Sequence, residues 1–129
     1  MLIVMDSCGW LEILQDAPLR QAFRACLEDS DVLVPTVVLY EVYKTARRGS
    51  SLEIAEDIAA HLQEHRVIRL DEPLALRAAD LSLTHRLSMA DAIVYATAQA
   101  HDALLVTGDE HFRELPGVQY LGPDEPETD

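Results

Sequence analysis

The sequence predicts an α/β fold, a mainly parallel sheet with helices packed on both faces. Three observations predict it. Short β-rich runs alternate with amphipathic stretches along the chain. The first run, Leu2–Met5, is apolar without interruption, as a strand buried on both faces of a parallel sheet should be. Strands separated by helical patterns need crossover connections, which is how parallel neighbours are joined.

The elements follow in order. Leu2–Met5 is the first strand and runs straight into Asp6, with Ser7 placed to cap a helix or to support the carboxylate. Leu19, Ala22, Phe23, Cys26 and Leu27 fall at the spacing of one helical face. Val32–Val34 is the second strand. Thr36, after Pro35, is placed to cap the next helix, whose face is Leu39, Val42, Tyr43 and Ala46 and whose stop is Gly49. Ile54, Ala55, Ile58 and Leu62 give a further helix, and Val67–Leu70 the third strand. Ser88, three residues before Asp91, opens a helix with the face Ala90, Ile93, Val94, Thr97 and Ala98. Leu104–Val106 and Val118–Leu121 complete five strands. Helix pairs fill several crossovers, more helix than a minimal βαβ unit needs.

With 129 residues, of which 49% are apolar, the chain is one domain's worth and should bury about two thirds of its unfolded surface. Residues 1–121 read as that domain and residues 122–129 as an acidic, disordered tail carrying Asp124, Glu125, Glu127 and Asp129. The net charge of −13 repels nucleic acid at long range, so a nucleic-acid function must rest on metal ions and a local basic patch. Two cysteines give neither a disulfide framework nor a zinc site, and a reducing cytoplasm is the expected compartment. The apolar start is short for a signal peptide and lacks a basic flank, and no apolar run approaches the roughly 20 residues of a membrane span. Phosphate-binding glycine loops and a G-x-S-x-G elbow are absent from the sequence.

In an open parallel sheet, ligands bind beyond the carboxyl ends of the strands, near the point where strand order reverses. Asp6 ends the first strand and Asp109 follows the fourth directly, in LLVTGD. Glu41 lies about two turns into the helix after the second strand, and Asp91 opens the helix that feeds the fourth. All four are therefore expected at one edge. Each also has an ordinary reading: Asp109 as the cap of a helix starting at Glu110, Asp91 as the partner of Ser88 in a capping box, Glu41 as a solvated rim residue, and Asp6 as surface. One shared site explains all four together. Crowded carboxylates raise one another's pKa or bind cations, and Mg²⁺ or Mn²⁺ is the natural counter-charge for hard oxygen donors. Thr107, in T-G-D, is placed to orient a water or a carboxylate.

The segments VMDSCGWLEIL, PTVVLYEV, RLSMADAIVYATA and LLVTGDEHF together resemble the PIN-domain ribonucleases, and among them the VapC-type toxins of toxin–antitoxin pairs. The resemblance runs to about Leu121. It implies a PIN-like α/β/α sandwich with a five-stranded parallel sheet in the order 3-2-1-4-5. It also implies a Mg²⁺- or Mn²⁺-dependent endoribonuclease. Asp6, Glu41, Asp91 and Asp109 would be its acidic catalytic site, Asp6, Asp91 and Asp109 its metal ligands, and Thr107 and Ser7 its support. An RNA substrate, a cognate antitoxin laid over the site and a homodimer follow from the same resemblance. Two departures stand out: Lys44 is the only lysine, and position 8 is Cys where similar proteins often carry Asn or Ser, a difference of small weight, since a small residue still packs behind the first strand.

Lys44 and Arg48 share the helix face of Glu41 and could hold RNA phosphates, though cations also favour the last turn of a helix through its dipole. Arg86, just before the Asp91 helix, is a second phosphate contact with the same two readings. His61 and His65 have zinc-compatible spacing but no third ligand, and read as a solvated helix end. His111 reads as surface, within reach of Asp109. Trp10 and Phe23 read as packing residues, with a dimer contact as the other reading for Trp10. Two other functions compete with the nuclease. One is a phospho-receiver-like signalling module, which would need an acidic neighbour for Asp6 and a lysine after the last strand. The other is a catalytically silent PIN-fold protein that acts by binding a partner.

Overall fold

The computed structural model of the chain describes residues 1–122. Its elements are β1 (Leu2–Met5), α1 (Ser7–Leu14), α2 (Arg20–Leu27), β2 (Asp31–Pro35), α3 (Thr36–Gly49), α4 (Leu52–Leu62), β3 (Arg66–Ile68), α5 (Glu72–His85), α6 (Met89–Ala100), β4 (Leu104–Thr107), a 3₁₀ turn (Glu110–Phe112) and β5 (Val118–Tyr120). The strands form one parallel sheet in the order β3-β2-β1-β4-β5, flanked by helices in the α/β/α arrangement expected. The order reverses at β1, which has β2 on one side and β4 on the other. Met5 pairs with Val106 across that switch, so both strands end at the same level. The predicted tail lies outside the described residues apart from Gly122, and no helix among them is long and apolar enough to cross a membrane.

The continuous apolar strand is buried as its composition requires. Ile3, Val4 and Met5 are almost wholly shielded, and Leu105 and Val106 beside them are equally buried. One helix closes over this centre. In α6 every residue from Ala92 to Ala98 is buried, and the helix packs on β1, β2 and β4. Its buried Thr97 hydroxyl donates to the Ile93 carbonyl at 2.7 Å, which satisfies the one polar group such a position carries. Tyr95 crosses from the same helix to donate to the Pro116 carbonyl at 2.7 Å, and its ring lies 6.2 Å from that of Phe112. These two contacts fasten the 3₁₀ turn and the approach to β5 onto the core.

Several local expectations need correction. Thr36 does not cap α3. Pro35 occupies the cap position with no side-chain bond, and Thr36 is the first helical residue, because Pro35 still pairs with Ile68 as the last residue of β2. Gly49 is the last residue of α3 rather than its stop; the helix ends on Ser50, whose N–H and hydroxyl both donate to the Ala46 carbonyl. The third strand begins and ends earlier than Val67–Leu70. Asp71 accepts from the Leu74 N–H to start α5, so the chain leaves the ladder before Leu70. Helices α1 and α5 carry no clean amphipathic signal: α1 is apolar nearly all round, and α5 leaves Leu76 and Leu83 in solvent.

The short α1 turns back on β1 at once, and Gly9 makes that approach feasible. A Cβ there would stand 2.6 Å from Met5 Cγ and 2.9 Å from Phe23 Cδ1. Both neighbours are fully buried and cannot swing into solvent. Gly9→Ala is therefore expected to cost about 1–3 kcal/mol, read as a lower urea midpoint with an unchanged slope.

Candidate active site

The carboxyl edge at the switch point is built from β1, β4 and the start of α6. Asp6 follows β1 directly. Its N–H donates to the Val106 carbonyl, which continues the β1–β4 ladder by one residue and sets Asp6 beside Thr107. Asp6 is also the cap of α1, accepting from the Gly9 N–H at 3.2 Å. Ser7 is thus not the cap but the first residue of the helix. The buried Thr107 hydroxyl donates to the other oxygen of Asp6, and accepts from the Asp109 N–H at 3.0 Å.

Cys8 does more than pack. Its thiol donates to Asp6 Oδ1 at 3.0 Å, and its sulfur accepts from the Gly108 N–H at 3.1 Å. It thereby links the loop after β4 to the carboxylate after β1. Burial and the adjacent Asp6 charge push its pKa well above the usual thiol range, so it stays a neutral donor. The significance of a small polarisable residue here was not visible in the sequence, where position 8 is simply the second residue of a helix.

Asp109 caps the 3₁₀ turn through the His111 N–H at 2.9 Å, so its ordinary reading holds alongside the site reading. Ser88 likewise caps α6, accepting from the Asp91 N–H at 3.3 Å. Both caps leave carboxylate oxygens facing one another. His111, read as a surface residue, is indeed exposed, yet its Nδ1 lies 2.8 Å from Asp109 and 3.8 Å from Asp91. One ligand atom from each of Asp91, Asp109 and His111 falls within 4.8 Å of the others. The signal that could have found His111 is its offset of two from Asp109 in a tight turn, which returns the side chain to the capping carboxylate.

The electrostatics show that three of the four predicted acids share one environment. Burial raises the pKa of Asp6, and the Asp109 charge raises it further against the lowering bonds from Cys8, Thr107 and Gly9. Burial pushes Asp91 up to about 6, with the charges of Asp109 and Asp6 adding to it and Ser88 and His111 opposing it. Glu41 stands apart. It is half-buried on α3, and among the described residues no hydrogen bond or ion pair joins it to this group.

The remaining candidates are elsewhere. Lys44 and Arg48 are exposed on α3, and Lys44 Nζ lies 3.5 Å from the Tyr40 hydroxyl. Arg86 is exposed at the end of α5, with a left-handed backbone (φ 57°) that turns the chain into α6. His65 packs against the Trp10 ring at 5.5 Å, with burial lowering its pKa, and His61 pairs with Glu64. Neither belongs to a metal set among the described residues. Trp10 and Phe23 are core residues as expected.

The donor chemistry fits a divalent cation. Carboxylate oxygens that repel one another from a partly dry edge are hard donors lacking a counter-charge, the demand that Mg²⁺ or Mn²⁺ meets.

A family model described as PIN domain matches residues 3–118. Among solved structures, a toxin–antitoxin complex from Klebsiella pneumoniae superposes with a TM-score of 0.78 at 22% identity, over 91% of this chain and 95% of that one. VapBC2 from Rickettsia felis, bound to a DNA fragment from its promoter, gives 0.75 at 14% identity over 95% and 98% of the two chains. Mycobacterium tuberculosis VapC20, a toxin that cleaves the sarcin–ricin loop, gives 0.72 at 19% identity over 88% and 95%. No curated protein matches the chain in sequence.

The pKa shifts carry a sign that can be measured. Asp91 holds its proton more tightly folded than unfolded, between 3.8 and about 6. Its contribution to stability is complete below 3.8, and is lost as pH rises through about 6. In the metal-free protein, Asp91→Asn should therefore flatten the fall in melting temperature across that window relative to the parent chain. Divalent cation should stabilise the parent more above the window than below it.

Proposed function

The chain belongs to the PIN-domain family, and from that premise we infer that it is a metal-dependent endoribonuclease of the VapC toxin type. The observation that carries this reading is the crowding of Asp6, Asp91 and Asp109, from three distant parts of the chain, at the switch point of the sheet. The Asp109 charge raises the pKa of both Asp6 and Asp91, the Asp6 charge adds to Asp91, and a doubly charged ion would relieve that repulsion.

Each group has a role in this reading. Asp6, Asp91 and Asp109 hold the cation. Thr107 and Cys8 fix the orientation of Asp6 through hydrogen bonds, and Ser7 supports it from the first turn of α1. His111 flanks Asp109 and Asp91 from the solvent side. Glu41 is the fourth acid, placed on α3 to meet substrate or a water at the rim. A bound Mg²⁺ or Mn²⁺ would supply an activated water and offset charge on the phosphate oxygens. The protein's own contribution is positioning and exclusion of solvent. Lys44, Arg48 and Arg86 are the cations available to hold RNA phosphates.

The same reading includes a cognate antitoxin and a homodimer. It is supported by the likeness to toxin–antitoxin complexes and by the exposed apolar side chains of Leu76, Leu83 and Met89 along α5 and the start of α6. The phospho-receiver alternative gains nothing from the geometry, because Lys44 lies on α3 with its ammonium 5.5 Å over the Tyr40 ring.

The purified chain is expected to cut single-stranded or looped RNA in Mg²⁺ or Mn²⁺ and to stop in EDTA. Asp6→Asn should fold, melt no lower than the parent, and cut about 100-fold or more slowly. Thr107→Val keeps the shape but removes the donor, and should slow cutting by about 10-fold or more while leaving the circular dichroism spectrum unchanged. Undiminished cutting by Asp6→Asn would overturn the assignment.

A further inference from the structure

On α3, Tyr40, Tyr43, Lys44, Arg47 and Arg48 fall at i, i+3, i+4, i+7 and i+8 and line one shallow cleft. That spacing normally marks the buried face of a helix. Here the buried face is the opposite one, carrying Val38 and Val42. The solvent-side stripe is aromatic and cationic. Tyr40 is 60% exposed, and Lys44 Nζ stands 5.5 Å from its ring centroid.

The ordinary explanation covers only part of this. Arg47 and Arg48 lie in the last turn of α3, where the helix dipole favours cations. It does not account for a large aromatic ring left in solvent, nor for Lys44 lying over that ring rather than at the helix end. Three of the chain's 10 lysines and arginines fall within residues 44–48, in a chain of net charge −13. The stripe is a local positive field on an otherwise acidic molecule. Its only acidic neighbour on α3 is Glu41, next in sequence to Tyr40.

We propose that Tyr40, Tyr43, Lys44, Arg47 and Arg48 form a platform for unpaired RNA, the tyrosines stacking on bases and the cations tracking the phosphates. The proposal rests on the ribonuclease reading and extends it to the form of the substrate. Alternation of aromatic faces with cations is the chemistry of single-strand recognition, since every base offers a π-face and only an unpaired base can present it to a side chain. Placement agrees. Helix α3 starts where β2 ends, at the same sheet edge as Asp6 and Asp109. At 1.5 Å per residue the stripe extends from about 6 Å to about 18 Å along the helix from that edge.

The test measures binding apart from cleavage. The full chain and its variants are titrated, in EDTA, against a fluorescein-labelled oligouridylate of about a dozen nucleotides. Tyr40→Ala with Tyr43→Ala should weaken binding about 5- to 100-fold, and Tyr40→Phe with Tyr43→Phe should restore it. Arg47→Gln should weaken binding less and reduce the salt slope by about 0.7. Annealing the probe to its complement should weaken binding to the parent chain. Equal affinity of the alanine variant and the parent would overturn the platform. So would an unchanged affinity accompanied by loss of dimer in sedimentation, which would make the stripe a contact between copies. If the alanine variant fails to fold, the Arg47→Gln salt slope decides. Failure of the nuclease reading appears separately, as intact RNA in Mg²⁺ and Mn²⁺ with these binding differences preserved.

Discussion

The hydrogen bond from the buried Thr107 hydroxyl to the Asp6 carboxylate is the contact on which the site depends. It exists because β1 and β4 pair in parallel with Met5 opposite Val106, so that the next residue of each strand meets at the same edge. A slip of one residue between the two strands would turn one of these side chains to the opposite face from the other. The apolar run before Asp6 fixes the register, since Ile3, Val4 and Met5 have no solvated alternative. Core packing and site geometry are thus one constraint. The strand that cannot move delivers the carboxylate that must not move.

Around this contact the chain places groups that oppose its own stability. Asp6 is nearly wholly buried, and Asp91 and Asp109 add negative charge beside it. Burying carboxylates near one another is tolerated only where bonds or cations compensate. Asp6 receives three such bonds, from Gly9, Cys8 and Thr107, which hold its orientation without cancelling the effect of burial. Asp109 and Asp91 are held by caps instead, and His111 stands between them. The arrangement is over-determined in position and under-compensated in charge. That combination supports the proposed cation site over an edge built for stability alone.

The sequence made the sheet legible because its signals are strong and local. Three continuous apolar runs, Leu2–Met5, Val32–Val34 and Leu104–Val106, and two shorter β-rich ones, Val67–Leu70 and Val118–Leu121, alternate with helical patterns and leave few topologies. The acids at Asp6, Asp91 and Asp109 were legible for the same reason, since each is tied to the end of a strand or the start of a helix. Glu41 was read from helix spacing alone, which gives a face but not the direction of that face relative to the sheet. His111 and Cys8 are underread because their roles depend on a backbone turn and on a neighbouring loop 100 residues away along the chain, as in the bond from Gly108 to Cys8. Helix α5 was missed despite a cap at Asp71 and a proline in its first turn, because its apolar residues do not all face inward.

If the chain acts on RNA as proposed, its acidity requires that it obtain affinity without long-range attraction. With 10 lysines and arginines against 23 acids, the field of the whole molecule disfavours encounter with RNA. Counterion release can contribute only where cations cluster, and the cluster on α3 is small. On the proposed reading, what would remain is short-range: stacking of unpaired bases on the exposed α3 rings, and a divalent ion that would reverse the sign of the field at the sheet edge. Both favour RNA whose bases are already unstacked over a duplex, which presents mainly phosphate to an acidic surface. On that reading, the negative charge that argues against nucleic acid in general would become a source of discrimination, admitting strands that can offer bases and repelling those that offer only backbone.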